Sequence, residues 1–245
     1  MVELLTQTQN ISESFFLKVA QGEVSGHDHV HKFGAVPTMS NNAAGTIWDV
    51  NDTNYPWASW DTAGTVSVPA VNVADDGLEL TIIGLDENYL PQTQTVTVST
   101  TVSTPVLGTW KRIFRAYCTT ATNVGDILIQ KDAVTVAKIN AGKAQTLMVV
   151  YTVPAGYTGY LLKGTCTCGA NADATGDMFV RYFGQESFRG SHTFEVSGTG
   201  GEYTYDFSIP ARIPEKSDID VRAAVRTNNA RITAAFDMLL VSTAS

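Results

Sequence analysis

Apolar and polar residues alternate with a period of two along most of the chain beyond Thr65. Val66 and Val68 alternate with Thr65 and Ser67, and Leu78, Leu80 and Ile82 alternate with Glu79 and Thr81. The loop Asp86-Glu87-Asn88 then turns the chain back through Thr95 to Ser99. This predicts a β-hairpin with one apolar face. Leu147, Val149, Tyr151 and Val153 form a strand ahead of the turn Pro154-Ala155-Gly156, and Tyr160 and Leu162 follow it. Met148 and Val150 make the other side of that strand apolar as well, so it is expected to be central and covered on both faces. Phe179 to Phe183 is a short aromatic strand. Tyr203, Tyr205, Phe207 and Ile209 alternate with Thr204, Asp206 and Ser208, and Ile219, Val221, Ala223 and Val225 alternate with Asp220, Arg222 and Arg226. Asn228-Asn229 suits a tight hairpin turn before Ile232 to Leu240 closes the chain. The pattern amounts to roughly a dozen short strands. The expected fold is all-β: an antiparallel, jelly-roll-like β-sandwich preceded by an N-terminal arm with one short helix. No helix of useful length is expected after residue 22, which excludes a doubly wound α/β fold.

Residues 12–34 break this pattern. Ser12 can cap a helix, Ile11, Phe15, Phe16, Val19 and Ala20 share one helical face, and Gly22 suits the C-terminal stop. An extended, glycine-punctuated tether follows. Residues 35–62 are rich in Asn, Asp, Gly and Pro, which is turn chemistry. A second, softer break falls in the Ser/Thr-rich stretch from Thr100 to Pro105. The expected organisation is an attachment arm over residues 1–44, a β-hairpin unit with an aromatic loop over 45–104, and the sandwich over 105–245.

Phe15-Phe16, Val19, Gly22 and the run from Gly26-His27 through His31-Lys32-Phe33-Gly34 resemble the opening of a family of structural proteins of tailed bacteriophages. The likeness continues in outline through Ile83-Gly84-Leu85-Asp86, Val153-Pro154-Ala155-Gly156 and Pro214-Glu215-Lys216-Ser217-Asp218-Ile219. The resemblance implies a virion component and carries no catalytic residues with it.

Composition narrows the function classes. The chain has 245 residues, of which 44% are hydrophobic and only 16% charged, so its length can bury a core without disulfides. Sixteen basic residues against 24 acidic ones give a formal charge of −8 and no basic stripe for a phosphate backbone, so no nucleic-acid partner is expected. No stretch approaches a membrane span, and the opening Met-Val-Glu-Leu-Leu lacks the positive charge of a signal peptide. Assembly in a host cytoplasm is expected. Cys118 stands alone, while Cys166 and Cys168 point to one strand face, as buried apolar residues or as half a metal site.

Three groups of residues are candidates for chemistry or binding. His27, His29 and His31 face one way in an extended segment and can bind a transition metal or form a polar edge that docks on a neighbour. As a docking edge they belong with Phe15, Phe16, Val19, Lys32 and Phe33 as the expected partner-binding set, and assembly would weaken below about pH 6. Asp49, Asn51, Asp52 and Asn54 resemble the start of a calcium loop, but Trp60 stands where the bidentate Glu belongs. Trp48, Tyr55, Trp57 and Trp60 form a small aromatic core, an interface anchor or a glycan-stacking surface. No nucleophile elbow, Walker loop or zinc-protease motif occurs, so no enzyme, cofactor or metal is expected.

The expected function is therefore a non-catalytic structural protein of a tailed-phage virion. Its arm would hold other virion proteins (the major capsid protein, or portal, neck or tail proteins), and its body would be exposed on the head as decoration or a short fibre. A homotrimer is expected from virion symmetry. The alternatives are a receptor-binding tail module that contacts glycans and a head–tail connector or collar component.

Overall fold

A computed structural model describes residues 15–169, 172–197, 200–226 and 229–243. Ile11, Ser12 and Asn228 lie outside the described residues. The chain is all-β as the alternation requires, with strands numbered β1 to β15 in chain order. Every strand pairing among the described residues is antiparallel.

Three sheets share the strands. The first runs β1 (His27–Met39), β15 (Ala230–Ser242), β10 (Tyr157–Cys168) and β13 (Glu202–Ile213). The second runs β12 (Arg189–Val196), β11 (Ala174–Arg181), β14 (Asp218–Val225) and β2 (Ala44–Thr46), and β9 (Val150–Thr152) also pairs with β14. The third runs β5 (Pro91–Thr97), β4 (Glu79–Asp86), β6 (Thr104–Cys118), β3 (Gly64–Val68), β7 (Ile127–Lys131) and β8 (Val134–Ile139).

The first two sheets enclose one core, from Val36 and Met39 of β1 to Phe236, Met238 and Leu240 of β15. The third sheet packs its inner face on a second core that contains Trp48, Tyr55, Trp57 and Trp60. Residues 148–153 form the wall between them. Val149, Tyr151 and Val153 face the sandwich core, while Met148 and Val150 face the other. The doubly apolar pattern of that segment reflects these two cores.

Two of the expected boundaries, at 44/45 and 104/105, fall at the starts of strands. Residue 44 opens β2 and residue 104 opens β6, and β6 lies between β4 and β3 in the third sheet. The sandwich is built from both ends of the chain, and the third sheet is an excursion between them. Residues 27–39 are likewise no tether: β1 pairs with β15 from His27↔Val241 to Met39↔Ala230. Gly34 lets β1 also pass close to the 148–149 segment, because a Cβ there would stand 2.7 Å from the Val149 side chain and 2.8 Å from backbone at Met148 and Val149.

The helix over residues 15–20 ends as expected. Gly22 has φ of 73°, its N–H donates to the Val19 carbonyl, and the Glu23 N–H donates to the Lys18 carbonyl. This is the paired hydrogen-bond stop that a left-handed glycine allows. No helix among the described residues is long and apolar enough to cross a membrane.

Candidate functional site

The partner-binding candidates divide between the two faces of β1. His31 lies opposite Asp237 in register, and its Nδ1 is 2.6 Å from the Asp237 carboxylate; His29 Nε2 is 3.6 Å from the same oxygen. His27 turns away, with its Nδ1 3.0 Å from the Ser25 carbonyl and its ring edge-on to Phe15 at 5.7 Å. Among the described residues, no group of three or more His, Cys, Asp or Glu could hold a metal ion. Phe33 is half-buried, and its ring lies 5.5 Å from that of His31.

Lys32 points the other way, towards the core, in register with the buried Phe236. Its ammonium donates to the Phe114 carbonyl at 2.6 Å. It lines a cleft of about 510 Å³ with Phe114, Tyr151 and Leu240. Burial, and then the Arg115 charge, lower its pKa from 10.5 to about 7. Lys32 is therefore not an exposed docking residue. Strand alternation places it on the side opposite the histidines, and pairing with β15 makes that side interior.

The helix docks on its own chain through Val19, which is 4% exposed, while Phe16 and Leu17 are 43% and 59% exposed. Phe16, Val19 and Ala20 line a groove of about 490 Å³ whose other wall includes Phe207 and Pro210 of β13. β13 is a sheet edge, bonded only to β10 among the described residues, and its Tyr205 and Ile209 are 40% and 83% exposed.

The aromatic group is interior. Trp48, Tyr55, Trp57 and Trp60 are all buried, so their faces are closed to a glycan or a partner. The Trp60 indole donates to the Tyr55 hydroxyl at 2.8 Å, and the Trp48 indole donates to the Thr53 carbonyl at 3.1 Å. Asp49 is buried with them. Its Oδ2 accepts the Leu147 N–H at 3.1 Å, and its Oδ1 has no partner. Burial raises its pKa to about 7 against the pull of that hydrogen bond.

The alternation gave no sign of an ionic junction under this group. Asp218 and Asp220 alternate with core residues on β14, so they read as a solvent face; both are buried. Arg112 Nε and Nη2 each donate to an Asp218 carboxylate oxygen at 2.9 Å. Arg181 donates to Asp218 Oδ2 from Nε at 3.0 Å and from Nη2 at 2.7 Å, and the Thr152 hydroxyl donates to Asp218 Oδ1. Asp220 accepts from the Trp57 indole, Thr46 and Arg222 at 2.8–2.9 Å. Both guanidiniums of the first cluster also flank the Trp57 ring, at 5.4 Å for Arg112 and 5.5 Å for Arg181. The junction ties β6 of the third sheet to β9, β11 and β14 of the second. In the sequence the junction's three Arg and two Asp are spread over β6, β11 and β14, with nothing local to pair Arg112 or Arg181 with Asp218.

Cys166 and Cys168 are buried on one face of β10 as expected, and all three thiols are free. Burial, and then its neighbour Cys168, push Cys166 up to about 12.

No family model and no curated protein matches the chain. Among solved structures it is similar to the infectious bursal disease virus VP2 subviral particle. That match has 8% identity over 89% of this chain and 73% of that one, with a TM-score of 0.24. It is also similar to Broad Bean Stain Virus, with 10% identity over 74% of this chain and 86% of that one and a TM-score of 0.21. Overlaps this loose leave the functional reading to the residues of this chain.

Proposed function

We propose that this chain is a non-catalytic structural protein of a tailed-phage particle, held to other virion proteins through its N-terminal helix and exposed on the head. The observation that carries the reading is the groove between the helix and β13. Val19 is buried against the body, while Phe16, one turn earlier on the same groove-lining face, and Leu17 remain exposed beside an edge strand. An exposed edge with apolar side chains is a surface that proteins normally cover. The family resemblance at Phe15-Phe16 and Gly26–Gly34 supports the same place on the chain. Because β1 is already ordered by β15, a partner would need to order little beyond the helix, which lowers the entropic cost of attachment. A homotrimer fits an edge strand that needs a neighbour.

The test is incorporation into particles. Phe16→Asp with Leu17→Asp changes only exposed side chains, so the melting temperature should stay within about 2 °C. The variant should fail to co-purify with virions that incorporate the unaltered chain. Incorporation at the unaltered level would refute the reading. A truncation serves the same purpose only if it stops short of His27, because β1 belongs to the sheet. Copy number per virion, counted by mass spectrometry, separates shell from tail or neck.

A further inference from the structure

The solvent side of the ionic junction opens into a recess of about 180 Å³. Two of its residues hold backbone conformations that side chains rarely adopt: Tyr89 has φ of 65° and Lys216 has φ of 59°. Such positions cost energy and persist where the surroundings require them. Here they bring their side chains together. The Tyr89 ring has Arg112, Lys111 and Lys216 around it at 5.6, 5.7 and 6.0 Å. Its edge meets Phe183, and the Lys216 ammonium sits 5.1 Å from that second ring.

The charge of this recess opposes that of the protein. Lys111, Arg112, Arg181 and Lys216 face Asp61 and Asp218, so the lining carries +2 in a chain of −8. Both oxygens of Asp218 are already taken by the two arginines. Lys111 donates to the Asp61 backbone carbonyl at 2.9 Å, not to its carboxylate. Burial and the neighbouring Arg112 hold Lys111 below the ordinary lysine value. Lys216 has no carboxylate partner among the described residues. Phe183 and Tyr182 stand at the lip, 60% and 37% exposed.

We propose that this recess binds a sugar ring bearing a carboxylate, with the acid group between Lys216, Lys111 and Arg181 and the ring against Phe183. Lys216 and Lys111, which have no carboxylate hydrogen-bonded to them among the described residues, can give charge-assisted hydrogen bonds to an acid, and Arg181 adds its charge while it stays bound to Asp218. An exposed aromatic face at the rim of a polar recess suits the C–H face of a saccharide. The proposal is independent of the attachment reading, since the recess lies where the second and third sheets meet and shares no lining residue with the groove beside β13 of the first sheet.

Titration of the full chain with glucuronic acid, followed by calorimetry and by the fluorescence of the adjacent Trp57 and Trp60, tests it. Glucuronic acid should bind saturably and glucose at least tenfold more weakly. Lys216→Met should weaken glucuronic acid about tenfold, and Lys163→Met, which removes an exposed charge on β10, should not. Phe183→Ala should weaken glucuronic acid while leaving acetate unchanged. Equal binding of glucose, equal binding by the Lys216 variant, or no binding at all would overturn the site. Inorganic phosphate binding as tightly, with Phe183→Ala silent, would overturn the saccharide and leave a bare anion site.

Discussion

Asp218 is the residue whose loss should hurt the fold most. Its side chain and that of Arg112 are each 4% exposed, and the pair is bidentate. Breaking a buried pair by removing one partner costs roughly 3–5 kcal/mol, because the other charge stays buried without compensation. The two ends of this junction are not equivalent. Arg112→Met leaves Asp218 with Arg181 and Thr152, so the cost should lie near the low end, about 3 kcal/mol. It also strips a donor from the carbonyls of Trp60 and Lys111. Asp218→Asn leaves two guanidiniums facing each other with no carboxylate between them, so the cost should lie at about 5 kcal/mol. The Arg181 side chain is 16% exposed, and its charge can be hydrated. Arg181→Met should therefore cost least, about 1–2 kcal/mol. For a chain of this size the melting temperature should fall by about 2–4 °C for each kcal/mol. Urea titration followed by tryptophan fluorescence gives the free energies, provided the slope stays constant across the variants. The reasoning fails if Asp218→Asn costs less than about 1 kcal/mol, or if Arg181→Met proves the most damaging of the three.

Two further changes separate by the sign of their pH dependence. The fold holds Lys32 near 7 against 10.5 in the open chain, so stability should rise as pH climbs from about 7 to 10.5. Lys32→Met should remove that rise. Its advantage over the unaltered chain should reach up to about 4 kcal/mol near pH 7 and vanish near pH 10.5, and an advantage independent of pH would refute the assignment. Asp49 runs the other way. An acid held near 7 against 3.8 loses stability for the chain as pH rises between those values. The melting temperature of Asp49→Asn relative to the unaltered chain should therefore climb between pH 4 and pH 8, and a flat difference would show that Asp49 is solvated.

What could be read in advance was what depends on neighbours a few residues apart. Alternation marked the strands, because a side chain's direction in a strand follows from its parity alone. Gly22 ended the helix, Cys166 and Cys168 shared a buried face, and the doubly apolar run at 147–153 marked a strand covered on both sides. Parity does not say which face will be covered. His31 meets Asp237 from 206 residues away, and the same pairing turns Lys32 inward. Arg112 meets Asp218 across 106 residues, so a face of β14 that reads as polar holds an ion pair with both side chains only 4% exposed. The aromatic loop reads as a small core, an interface anchor or a glycan-stacking surface until the third sheet closes over it. Those outcomes belong to the packing of three sheets, since burial is a property of two surfaces and each stretch of chain carries only one of them.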